Sequence, residues 1–293
     1  MTTSTVTWDG PLPSLERPVM VVHLSGWIDA GAAAKAAIDA IIDETEARTV
    51  AVFDDDTYLD FRARRPTMQL VEGLNAVLDW QRIEVSIGAD RTGRDLIVVH
   101  GPEPDLAWNR FADDLTALAL ATGTAAAVHL GAYPFATPHT RASRLSVTTA
   151  SEDVLASVPF LRSTLDVPAG IAGVLEHRFH SVGIPTLGIW AQVPHYAATM
   201  EYPSASVALI EGIRTAVHVV LDAVDLRSDA IARRRHLDEL VAGNDEHVTM
   251  LRQLEDLYDA DADSAPVGGD DGIEVIPADE LGAEVEQFLR DQE

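Results

Sequence analysis

The chain contains no cysteine, and only one of its 21 basic residues, Lys35, is a lysine. The first absence excludes disulfides, thiolate nucleophiles and thiolate metal sites. The second leaves Lys35 as the sole residue on which a Schiff-base mechanism could rest. No run of about 18 uncharged apolar residues occurs, so no transmembrane helix is expected. The opening MTTSTVTWDG has neither the basic nor the apolar region of a secretory signal, and the expected location is the cytoplasm. Positive charge is scarce overall: 47 acidic residues set the net charge at −26, which argues against nucleic-acid binding because that affinity rests on clustered cations. Also missing are a G-x-S-x-G elbow, a G-x-G-x-x-G fingerprint, a Walker A loop, an HExxH pair and a paired-carboxylate motif, so nothing calls for a cofactor or a metal.

What is present is enough apolar residue, 47% of 293, to bury a substantial core. Val19–Leu24 and Val50–Phe53 read as short buried strands, with AAAKAAIDAIIDETEA between them as a helix capped by Asp29. PTMQLVEG reads as a strand, RIEVSIG and RDLIVVHG as a hairpin, and Asp105 after Pro104 as the cap of the next helix. Strands follow at about 125–131, 144–150 and 184–191, with helices over 151–182 and 204–221. Strands alternating with helices predict a three-layer α/β/α sandwich with a mixed sheet over residues 1–224. Residues 225–259 read as a charged helical extension carrying the stripe Leu237, Leu240, Val241, Val248, Leu251, Leu254 and Leu257, suited to packing on a partner or on the body. Residues 260–293 read as an acidic flexible tail with a possible short terminal helix: from Glu255 onward 14 acidic residues face one basic, Arg290.

Two apolar strands end in the same dipeptide, Pro138-His139 and Pro194-His195. In an open α/β sheet ligands gather beyond the carboxyl ends of the strands, so His139 and His195 are expected at one sheet edge near Asp29. Imidazole suits general acid–base work, but a histidine after proline equally suits a structural hydrogen bond in a rigid turn. Asp29 and Gly31 belong to a strand–turn–helix junction of the kind that binds anions, although an aspartate at that cap competes with an anionic ligand. Arg62, Arg64 and Arg65 crowd one loop, and Arg141 follows His139 closely; guanidinium forks suit phosphate or carboxylate, with local ion pairing as the plainer reading. The candidate pocket is therefore Asp29, Gly31, Arg62, Arg65, His139, Arg141 and His195, with no catalytic role assigned. His177 and His180 read as residues of a solvated helix face.

The segments GWIDAGAA, DFRARRPTMQLVEG, GPEPDLAW, PHTR, VPHY and LEDLYD, in that order, resemble the bacterial branch of the proteasome assembly chaperone 2 family, and the terminal EVEQFLR resembles that family's ending. The resemblance implies a core similar to purine nucleoside phosphorylases and related hydrolases, a helical extension, and self-association with a trimer favoured. It implies kinship with chaperones that assemble the proteasome core particle, the bacterial members having no firmly assigned function. Some of those chaperones dock through a hydrophobic-Tyr-any-residue tail, whereas this chain ends Arg290-Asp291-Gln292-Glu293, so contact with proteasome subunits would have to come from elsewhere. The expected function is a non-enzymatic, self-associating protein related to these chaperones. The alternative, by analogy of fold, is a hydrolase or phosphorylase of a small anionic or nucleoside-like substrate.

Overall fold

The computed structural model describes residues 5–263. One sheet runs through the body in the order β1 (Val6–Trp8), β3 (Arg48–Phe53), β6 (Glu84–Ala89), β7 (Asp95–Pro102), β2 (Val19–Ser25), β8 (Ala126–Phe135), β10 (Thr186–Pro194), β9 (Leu145–Thr148). β7, β2, β8 and β10 are mutually parallel, and the pairings outside this block are antiparallel. The parallel strands are near-continuous apolar runs because helices cover both of their faces. Val19, Val21, Leu96, Val98 and Ile189 face one layer, built from α1 (Ala33–Glu44) and α6 (Pro203–Val217). Met20, Val22, Ile97 and Val99 face the other, built from α3 (Trp108–Ala121) and α5 (Ile171–Ser181), where Phe111, Leu175 and Phe179 fill the core. The architecture is thus a mixed α/β fold with a large mixed sheet between helical layers.

Two local readings need correction, the cap of the helix after Pro104 and the single helix of the extension. The helix after Pro104 begins only at Trp108, behind Ala107 at φ 53°. Asp105 does not cap it: its carboxylate accepts from the Asp60 N–H (3.0 Å) and from Arg64 Nε (2.9 and 3.1 Å), so tertiary partners have taken the side chain that local pattern assigned to the helix. The extension is two helices, α7 (Val224–Ala242) and α8 (Asp245–Asp263), the second opened by Asn244, whose side-chain oxygen accepts from Glu246 N–H (2.8 Å). Its apolar stripe folds onto its own subunit: Leu237 and Leu254 join the α1/α6 core and Leu240 packs beside them, leaving Leu257 exposed. The stripe therefore carries no argument for a second subunit. α8 runs past residue 259 to Asp263, and the rest of the acidic tail lies outside the described residues.

A further strand emerges beside the expected one. β4 (Thr67–Val71) pairs with β5 (Leu74–Asp79) around the turn Glu72-Gly73, both at positive φ as a two-residue hairpin turn requires. This two-stranded sheet is separate from the main one, and every residue from 67 to 82 is exposed. Two short helices, α2 (Asp55–Tyr58) and α4 (Glu152–Ser157), and two 3-10 turns, Ala30–Ala32 and His195–Ala197, complete the described elements.

Candidate functional site

β8 and β10 run in parallel register with Phe135 opposite Pro194, so the segments that follow them leave from the same sheet edge. There Tyr196 stands between the two histidines, its ring edge-on to His139 (centroids 5.8 Å apart) and to His195 (5.3 Å). Its hydroxyl accepts from the His139 backbone N–H (2.8 Å) and donates to His139 Nδ1 (2.7 Å). With Nδ1 an acceptor, the ring proton sits on Nε2, which donates to Asp238 of α7 (3.2 Å). Both nitrogens are thereby committed and the side chain is fully buried. Burial pushes the His139 pKa down, with Asp238 opposing, so the ring is a neutral tie between the sheet edge and the extension. His195 is half-buried on the other side of Tyr196.

Asp29 serves the turn after β2. Its carboxylate accepts from the N–H groups of Ala34 (2.8 Å) and Lys35 (3.0 Å), satisfying the first turn of α1 from outside a short 3-10 turn at Ala30–Ala32. His23 Nε2 lies 3.7 Å from the same carboxylate, while His23 Nδ1 donates to the Leu130 carbonyl (3.2 Å). Gly31, at φ 64°, stitches this turn to the segment after β10: its N–H donates to Ala198 O (2.7 Å) and its carbonyl accepts from Tyr202 N–H (2.9 Å). A Cβ at Gly31 would come within 2.7 Å of the Tyr202 Cβ, so any side chain there would separate the two segments.

The arginines divide. Arg141 grips α8, with Nε and a terminal nitrogen on the Asp259 carboxylate (2.9 and 2.7 Å) and the other on Glu255 (3.1 Å). Arg144 adds a donor to the Tyr258 carbonyl (2.6 Å) and lies over the Tyr258 ring at 3.8 Å. Arg62 and Arg65 lie exposed in the loop before β4, with no hydrogen bond or ion pair to Asp29, His139 or His195. Their neighbour Arg64 is the inward one, bound to Asp105 and to the Glu103 carbonyl (3.2 Å). Asp29, Gly31, His139 and Arg141 are thus ties fastening turns and the extension to the edge of the sheet, His195 packs on Tyr196, and Arg62 and Arg65 stand apart.

A cavity of about 40 Å3 opens where the pairing of β2 with β8 stops at Val22 and His129, lined among others by His23, Trp27, Glu103, His129, Ile171 and Trp190. Burial lowers the His129 pKa to about 4, and its Nε2 has no hydrogen-bond partner. Glu103 accepts from the N–H of Ile171, the first residue of α5 (2.6 Å). The Trp190 indole lies against Gly131, where a Cβ would come 2.3 Å from the ring, so only glycine leaves it room. Trp190 Nε1 donates to Thr148 (3.0 Å), and Thr148 donates to Glu176 (2.6 Å), a carboxyl that burial pushes up to about 7. Sequence reasoning followed the strands to their Pro-His ends and passed over the histidine and glycine inside AAAVHLGAY, which were the available signal. Among the described residues no three His, Asp or Glu side chains gather as a metal site, and no helix is long and apolar enough to cross a membrane.

The comparison with curated proteins gives no match. Among solved structures, a Mycobacterium tuberculosis protein of unknown function, Rv2714, is 29% identical with a TM-score of 0.82, over 90% of this chain and 94% of that one. A PAC2 family protein from Streptomyces avermitilis is 32% identical with a TM-score of 0.72, over 80% and 99%. The Mycobacterium tuberculosis proteasome-assembly chaperone homologue Rv2125 is 30% identical with a TM-score of 0.74, over 80% and 99%. The PAC2 family pattern itself matches residues 23–241, the whole sheet from the end of β2 onward together with α7, and the chain belongs to the PAC2 family.

Proposed function

We propose that this chain is a non-enzymatic, self-associating protein of the proteasome-assembly-chaperone class, with the β4/β5 hairpin as its contact arm. The hairpin is the observation that carries the reading. Met68, Leu70, Val71, Leu74, Val77 and Leu78 are 44–69% exposed, and they occupy both faces of a two-stranded sheet that touches no third strand. An isolated hairpin is marginal in water, and clustered exposed apolar side chains mark a contact surface. A second copy is the fitting occupant: Arg62 and Arg65 are exposed in the loop leading into the hairpin, and a chain of net charge −26 offers them acidic surface. A closed trimer, which the family resemblance implies, would bury each arm on a neighbour. Kinship with a chain described as a proteasome-assembly chaperone homologue supports a role in assembly, with proteasome subunits as the prospective client. His139 supports a non-enzymatic reading, since neither ring nitrogen is available to move a substrate proton.

Light scattering at micromolar concentration tests the proposal. The expected mass is a multiple of 31.6 kDa, and a single species at 31.6 kDa would overturn self-association. The double variant Leu74→Asp, Leu78→Asp places two charges on one face of an exposed arm, so it should yield a folded monomer. An undiminished oligomer in that variant would remove the hairpin from the interface.

A further inference from the structure

The cavity between Trp27 and Trp190 serves none of the ties described above. It sits where the pairing of the parallel strands β2 and β8 stops at Val22 and His129, with Trp190 of β10 and the start of α5 beside it. At about 40 Å3 it exceeds the roughly 10–15 Å3 that admits a single water and has room for a small polar head group. His129, 3% exposed, lines it with an Nε2 that meets no partner, and with the ring proton on Nδ1 that nitrogen has a lone pair to offer a donor. Glu103 brings a carboxylate with one oxygen on Ile171 N–H and acceptor capacity to spare. The attraction of the α5 N-terminus for an anion is therefore already met from within the chain. No lysine or arginine lines the cavity; the nearby Arg64 is held by Asp105 and the Glu103 carbonyl. Two indoles complete the walls, one, Trp190, partly buried and packed against Gly131, and one, Trp27, 53% exposed at the entrance.

Spare acceptor capacity on the Glu103 carboxylate, an unpartnered His129 nitrogen, a lining without lysine or arginine and aromatic walls favour a cation with N–H groups and an apolar stem. We propose that this cavity binds a primary alkylammonium group, which donates to His129 Nε2 and the Glu103 carboxylate while its first methylenes lie against Trp27 and Trp190. A free diamine and a lysine side chain of another polypeptide both present that group. The site is independent of self-association and stands or falls separately from it.

The full chain is titrated with 1,4-diaminobutane and with Nα-acetyl-lysine amide, following tryptophan emission and the His129 ring signals by NMR, with butanol and butyrate as neutral and anionic controls. At least one ammonium probe should saturate at millimolar concentration and move the His129 signals, and the controls should do neither. The stronger of the two ammonium probes identifies the source. Glu103→Gln keeps an acceptor for Ile171 N–H and removes the charge, so affinity should fall about tenfold. Trp27→Ala, at an exposed position that cannot threaten the fold, should weaken binding as well. Absence of saturation by both ammonium probes, an equal response to butanol or butyrate, or undiminished affinity in folded Glu103→Gln and Trp27→Ala would each overturn the proposal.

Discussion

Replacing Glu176 by glutamine should stabilise the protein at alkaline pH and leave it unchanged in acid. Glu176 lies on the buried face of α5, where its carboxyl accepts from Thr148 (2.6 Å), and burial raises its pKa from 4.5 to about 7 against the opposing effect of that hydrogen bond. The unfolded chain releases this proton near 4.5 and the folded one near 7, so between those values the folded state holds the extra proton. The contribution to stability is complete below the unfolded pKa and is lost as pH rises through the folded one. The gap corresponds to roughly 3 kcal/mol, reduced by whatever water enters once the carboxylate forms. Glutamine keeps the oxygen that Thr148 needs and cannot ionise. Urea unfolding followed by tryptophan emission should therefore show wild type and variant superimposed at about pH 4 and below, diverging as pH rises from the unfolded to the folded pKa, with the variant ahead by up to ~3 kcal/mol above about pH 8. His129, whose pKa is lowered to about 4, has the opposite sign: its contribution is present above its unfolded value of 6.5 and lost as pH falls through 4. That loss is common to both proteins and cancels in the difference. A difference independent of pH, or a variant less stable in alkali, would refute the reasoning.

Tyr196→Phe strips the partner from both the His139 backbone N–H and Nδ1 in a buried setting, so stability should fall by about 2–4 kcal/mol; a urea midpoint and slope indistinguishable from wild type would show that the hydroxyl ties nothing. Gly131→Ala drives a methyl into the Trp190 indole and should break the Trp190–Thr148 hydrogen bond, costing about 1–3 kcal/mol with an altered near-ultraviolet circular dichroism spectrum. An unaltered spectrum with unchanged stability would mean the ring has room the structure does not show.

The apolar runs of β2, β7, β8 and β10 and the amphipathic spacing of the helices were legible in the sequence because burial imposes their period locally, and a strand–helix alternation leaves few architectures open. The β4/β5 hairpin was half legible: its first strand was read, while LNAVLD was not, although the Glu72-Gly73 turn between them marks the reversal. What no local pattern contains is the identity of a side chain's partner. His139 finds its hydrogen bonds 57 and 99 residues away, at Tyr196 and Asp238. Asp105, placed to cap a helix, is taken by Arg64, 41 residues earlier. The leucine stripe of the extension has the same spacing whether its own body or a neighbour covers it, and only packing assigned it to the body. Likewise Trp27, Glu103, His129 and Trp190 carry no mutual spacing, because it is the turn after β2, the middles of β8 and β10 and the start of α5 that meet at one cavity. Period is a property of neighbours along the chain and survives in sequence, whereas a site is a property of neighbours in space and exists only once the layers have closed.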